Sequence, residues 1–141
     1  MNYEITILNE GTEEIKFDDE KELTQKITKF TYKLNSIDDN SSVRDRGARV
    51  ELTIEGDIDD ASFEEVCKIA KWSTVTKSPT REIKVVVKDD HNKVFRTYEF
   101  DNMFCVDYEE IFEGNQDKNS FRLLVAQAPN YKKLNIYDIE I

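Results

Sequence analysis

Period-two alternation governs most of this chain, and it leaves few architectures open. Ala48 to Gly56 shows it cleanly, with Val50, Leu52 and Ile54 on one parity and Arg49, Glu51, Thr53 and Glu55 on the other. Successive side chains of a strand point to opposite faces, so this pattern describes a strand with one buried and one wet face. The same phase runs through Tyr3, Ile5 and Ile7, and again through Phe30, Tyr32 and Leu34. Asn9-Glu-Gly11 is a turn signal, and Ile15 with Phe17 suits a short return strand. Residues 18–26 are charged, and Leu23 and Ile27 give only a hint of helix there. Beyond Pro79 the pattern is sheet throughout. Strands are predicted over Arg81–Lys88 and Lys93–Phe100 around an Asp89–Asn92 turn, then over Met103–Phe112 and Ser120–Gln127 around a polar loop. Leu134 and Ile136 make a last strand, extending toward Ile139.

One stretch, Asp59 to Ser73, breaks the alternation. Phe63, Val66, Cys67 and Ala70 recur at i, i+3, i+4 and i+7, and Ile69 and Trp72 widen the same face. That spacing predicts an amphipathic helix whose core side is carried by Phe63, Val66, Ala70 and Trp72. Ser62 and Glu65 have the spacing of a capping box, and Asp59 or Asp60 could cap one turn earlier. A single helix among so many strands must lie against a sheet or plug a barrel end. The expected fold is therefore mainly β, a barrel or sandwich of seven or eight strands with one flanking helix. At 141 residues, with no internal repeat or linker, one domain over 1–141 is expected. Val85-Val-Val87, Phe104-Cys-Val106 and Leu123-Leu-Val125 are apolar on both parities, so some strands are expected to be covered on both faces.

Charge and residue usage exclude several functions. The formal net charge is -10, spread along the chain, which disfavours a nucleic-acid groove, since that needs a cationic footprint against the phosphates, and an anionic membrane surface. No run of 18 apolar residues and no basic–apolar leader is present, so neither a membrane span nor a signal peptide is expected. The two cysteines, Cys67 and Cys105, are expected reduced and buried, which fits synthesis in the cytosol.

Catalysis finds little to work with. The one histidine, His91, sits in an Asp-Asp-His-Asn turn, where neighbouring residues cannot all converge on one ion. Glu109 and Glu110 are consecutive in a strand and point to opposite faces. None of the four glycines belongs to a phosphate-cradling cluster. No catalytic, metal or cofactor site is expected.

Ile37 to Gly47 is a polar excursion longer than a hairpin needs, and loops of that length are often functional. Asp38, Asp39, Arg44, Asp45 and Arg46 surround one apolar residue, Val43, and together they are candidates for a contact with another subunit. A second candidate surface is the aromatic-rich hairpin of Phe104–Phe112 and Ser120–Val125, since long strands with few breakers pair at their edges or aggregate.

Three segments carry a family likeness: Ala48–Gly56, Ala70-Lys-Trp-Ser73, and Val94–Glu110 with Phe121–Val125. Strand, helix ending in tryptophan, paired strand, a Phe-x-Val-x-Tyr-Glu-Glu strand and a final hairpin partner follow in that order across residues 48–127. In this the chain resembles phage tail-tube proteins and the hemolysin-coregulated tube protein of type VI secretion. The resemblance implies a β-barrel with a helix on its flank, forming homohexameric rings that stack into a tube inside a sheath. It implies self-association, sheath and baseplate partners, no cofactor, and assembly into a phage-tail-like particle. It places the 37–47 loop where such proteins extend an arm onto a neighbour. Residues 1–35 and the tail after Pro129 lie outside it, which leaves phage, bacteriocin and secretion subtypes open. Two rivals remain from the residues themselves. One is a monomeric barrel binding a small ligand or carbohydrate, with Phe104, Tyr108 and Phe112 sharing one face; the other is a hydrolase built on His91 or a metal.

Overall fold

A computed structural model describes residues 1–8, 14–17, 27–35, 49–60, 62–74, 80–114 and 118–137. Within them run β1 (Asn2–Leu8), β2 (Ile15–Phe17), β3 (Ile27–Asn35), β4 (Arg49–Asp57), a helix (Phe63–Thr74), β5 (Arg81–Lys88), β6 (Val94–Glu113), β7 (Lys118–Gln127) and β8 (Leu134–Tyr137). All eight strands join one sheet in the order β2-β1-β5-β6-β7-β4-β3, with β8 also on β6. Every pairing is antiparallel. Among the described residues the fold is mainly β with one helix, as the alternation predicts.

The apolar parity of each strand faces a common interior. Ile5 and Ile7 of β1, Ile83 and Val85 of β5, Phe100 of β6, Leu123 and Val125 of β7, and Leu52 of β4 are all fully buried. Strands distant in the sheet meet across this interior. The Tyr3 ring on β1 lies 6.4 Å from Phe30 on β3, and Tyr98 on β6 lies 5.3 Å from both Phe30 and Tyr32. The sheet is thus rolled into a barrel whose last seam, among the described residues, is closed by side chains and not by a hydrogen-bonded ladder.

The helix packs on β6 and β2. Val66, Ile69 and Trp72 are buried beneath it and Ala70 is half-buried. Phe63 corrects the sequence reading, for it stands 59% exposed. The helix begins at Phe63, so that side chain belongs to a first turn that projects past the packed face. The cap also differs from the Ser62–Glu65 box. Asp59 and Ser62 bond reciprocally, with Asp59 N–H donating to Ser62 Oγ at 3.1 Å and Ser62 N–H donating to Asp59 Oδ1 at 3.0 Å. Glu65 is thereby free to accept the Lys16 amide at 3.0 Å, which ties the helix to β2.

A second difference concerns β6. The sequence suggests two strands parted at Asp101-Asn102, whereas one strand of 20 residues runs from Val94 to Glu113. Asn102 adopts a left-handed φ of 59° inside it. Asparagine enters that region more readily than most residues, and here its side-chain amide is held by the Pro129 carbonyl, so a turn-forming residue is absorbed as an irregularity in the strand. Residues 18–26 and the loop candidates Asp38, Asp39, Val43, Arg44, Asp45 and Arg46 lie outside the described residues.

Candidate subunit interface

The two halves of β6 have different surroundings. From Val94 to Met103 one edge is paired with β5, and the other carries β8 along Thr97–Phe100. From Met103 to Glu113 the strand pairs with β7. Its opposite edge over 104–113 has no strand partner among the described residues. The same holds for the outer edge of β3, which pairs with β4 alone. Strands β3, β4, β7 and the far half of β6 therefore form a four-stranded unit with two open edges. Open edges present rows of unmatched amide and carbonyl groups, which natural proteins cover, blunt or pair.

The near half is held by a compact set of bonds at its end. Asp101 carboxylate accepts the amides of Lys132 at 3.0 Å and Lys133 at 2.8 Å. Gln127 Nε2 donates to the carbonyls of Asp101 at 3.0 Å and Lys133 at 2.9 Å. Asn102 Nδ2 donates to Pro129 O at 2.8 Å, and Lys133 Nζ reaches Glu82 on β5 at 2.5 Å. Most of these bonds join residues far apart in sequence, and together they lock β8 beside β6.

The far half carries three exposed apolar groups, Val106, Ile111 and Phe112, the last 64% exposed, where the near half exposes Phe95. A bulge between Cys105 and Asp107 shifts the register there. One extra residue inverts the strand's phase. Phe104 lies opposite Ala126, with the Arg49 guanidinium 5.5 Å from its ring on the outer face. Tyr108 lies opposite Leu123 and stacks toward Phe121 at 6.5 Å inside the barrel. So Phe104, Tyr108 and Phe112 do not share a face, which corrects the geometry on which the ligand-pocket reading depended.

Tyr108 donates to Glu110 Oε1 at 2.7 Å, and burial followed by that carboxylate pushes the phenol's pKa up. Burial likewise raises the Cys105 thiol, and both Cys67 and Cys105 are free and half-buried. A raised thiol pKa opposes nucleophilic use. His91 sits exposed at a tip where Asp89 Oδ1 accepts the amides of His91 and Lys93, each at 2.9 Å. Those amide bonds, Lys93's first, lower the Asp89 pKa. Among the described residues no three His, Cys, Asp or Glu side chains gather as metal ligands, and no helix is long and apolar enough to cross a membrane.

Solved structures share this fold across nearly the whole chain. Hcp1 from Salmonella typhimurium superposes with a TM-score of 0.62 at 12% identity, covering 98% of this chain and 95% of that one. A chain of the anti-feeding prophage baseplate gives 0.54 at 11% identity, covering 99% and 95%. A chain of the sheath–tube complex of PVC, an extracellular contractile injection system, gives 0.55 at 9% identity, covering 98% and 89%. No protein-family model matches the chain, and no curated protein matches it in sequence. The chain has the Hcp-like tail-tube fold that its sequence resembles, reached at very low identity.

Proposed function

We propose that the chain is a non-enzymatic structural subunit, one tube domain over 1–141, that forms homohexameric rings. The rings stack into the inner tube of a phage tail or a phage-tail-like injection or secretion apparatus. The shared fold supports this, and the observation that carries it is the pair of open edges on one four-stranded unit. Three successive antiparallel pairings make β3 and β6 run in opposite directions. The β6 edge of one copy laid beside the β3 edge of the next therefore continues the antiparallel order. Such head-to-tail contacts close into a ring when the rotation permits, and closure removes the edges.

The two ends of the unit are also distinct. The β6–β7 turn follows Glu113 at one end, and β3 leaves and β4 enters at the other, through Asn35 and Arg49. In this reading the 37–47 loop reaches from that end onto a neighbouring subunit, burying Val43 and pairing Arg44 and Arg46 with acids. A sheath outside the tube and a baseplate below it are the partners, with synthesis in the cytoplasm and no cofactor.

Sedimentation and electron microscopy of the purified chain over a range of concentrations test the reading. Closed rings of uniform diameter, stacking at high concentration, are expected. Replacing residues 39–46 by a Gly-Ser link is expected to leave the barrel folded and to weaken stacking. A chain that remains monomeric at every concentration and salt level contradicts the reading.

A further inference from the structure

The outer face of the four-stranded unit carries an ordered row of charge. Lys29 on β3 is opposite Glu55 on β4, Glu55 is opposite Arg122 on β7, and Arg122 is opposite Glu109 on β6. Signs alternate across all four strands, beginning with a cation at one open edge and ending with an anion at the other. The edges as wholes repeat this. On that face β3 presents Lys29 and Lys33, both exposed, while β6 presents Asp107, Glu109 and Glu113, also exposed. A finished surface has no need to end on opposite signs. A repeating one does, because each end then meets its complement on the next copy.

Resting on the tube reading, we infer that neighbouring copies join with Lys33 of one against Glu109 of the next, and Lys29 against Glu113. Three features select this register. In an antiparallel pair the two residue numbers sum to a constant, so one register gives both ion pairs and sets Thr31 against Ile111. It lies wholly beyond the bulge at Cys105/Asp107, where the edge is regular, and stops short of the length occupied by β5. It is also offset by four residues from a row that runs straight across the seam. Barrels close only when strands tilt and the register staggers, and an even stagger keeps every side chain on its own face. With that offset the alternation continues from Glu109 to the next copy's Lys33 and on to its Glu51, which is opposite Lys33. The seam's specificity thus resides in four charged side chains of one face.

Charge reversal tests this. One variant carries Lys29→Glu with Lys33→Glu, and the other carries Glu109→Lys with Glu113→Lys. Like charges directly opposite in a sheet repel, so each variant alone is expected to associate on the order of tenfold more weakly or worse. Each reversal also alters neighbours within its own subunit, so monomer melting is measured beside assembly. Mixing the variants isolates the seam, since in a strictly alternating ring every junction again joins opposite signs. An equimolar mixture is expected to form rings at concentrations where neither variant does. Three results decide otherwise. If the parent forms rings and both folded variants assemble like it, or the mixture recovers nothing, the ladder is wrong while the tube reading stands. If the parent forms no ring, both fall.

Discussion

Within one strand, β6, this protein contains both a finished structure and an unfinished one. Residues 94–103 are flanked by β5 on one edge and, over Thr97–Phe100, by β8 on the other, and the Asp101 bonds lock the end of that half. Residues 104–113 have β7 on one side and, among the described residues, an open edge on the other. The helix shares this division. Trp72 near its end is buried under the Arg81 guanidinium, 5.3 Å away, and Arg81 is opposite Met103 of β6. Phe63 at its start is exposed. Under the tube reading, the contrast separates the part of β6 that holds the subunit together from the part proposed to join copies. The near half of β6 has strands on both edges over Thr97–Phe100, and the far half has, among the described residues, a strand on one edge only, which leaves the other edge as the one the tube reading gives to a second copy.

Substitutions in the two halves should therefore have different effects. The largest loss of stability is expected from Trp72→Ala, about 3–5 kcal/mol for deleting a buried aromatic, read by chemical denaturation. Asp101→Ala follows, at about 2 kcal/mol, because two amides lose a charged acceptor and β8 loosens from β6. An unchanged midpoint for Asp101→Ala would show that β8 is held by its ladder alone. Tyr108→Phe has a pH-dependent signature. The folded phenol keeps its proton above its ordinary value of 10.0, so the unfolded chain releases protons first and stability falls as pH rises past it. That decline should be shallower in Tyr108→Phe, although the variant also loses the bond to Glu110. Smallest for the isolated subunit is Phe112→Ser, within about 0.5 kcal/mol of the parent. Its expected effect is on assembly, which should need more protein. A large drop in monomer stability would place Phe112 in the core and erase the contrast between halves.

Much of this was legible from the residues. Alternation located the strands because one face of each is buried, and burial enforces phase over several residues. Tyr3, Ile5 and Ile7, or Val50, Leu52 and Ile54, leave no other reading. Single-residue events escaped. The bulge after Cys105 put Phe104 on the opposite face from Tyr108, and nothing in Phe-Cys-Val-Asp-Tyr announces an inserted residue. Asn102 looks like a chain break but takes a left-handed conformation within a strand that continues. Phe63 fits the helical spacing, yet the helix starts with it, and position in the first turn decided its exposure. The Asp101 bonds join residues 26 to 32 apart, a pairing that local pattern cannot carry. The charge row of Lys29, Glu55, Arg122 and Glu109 is likewise a product of register, and appears only when four strands are aligned.

Amide hydrogen exchange along β6, in dilute subunit and in assembled material, tests the difference between its halves most directly. Residues 94–103 should be protected in both states. The amides of 104–113 that point away from β7 should exchange quickly in the subunit and become protected on assembly, as should those on the outer edge of β3. Equal protection of 104–113 in both states, or continued fast exchange once assembled, would contradict the claim that this edge is where copies join.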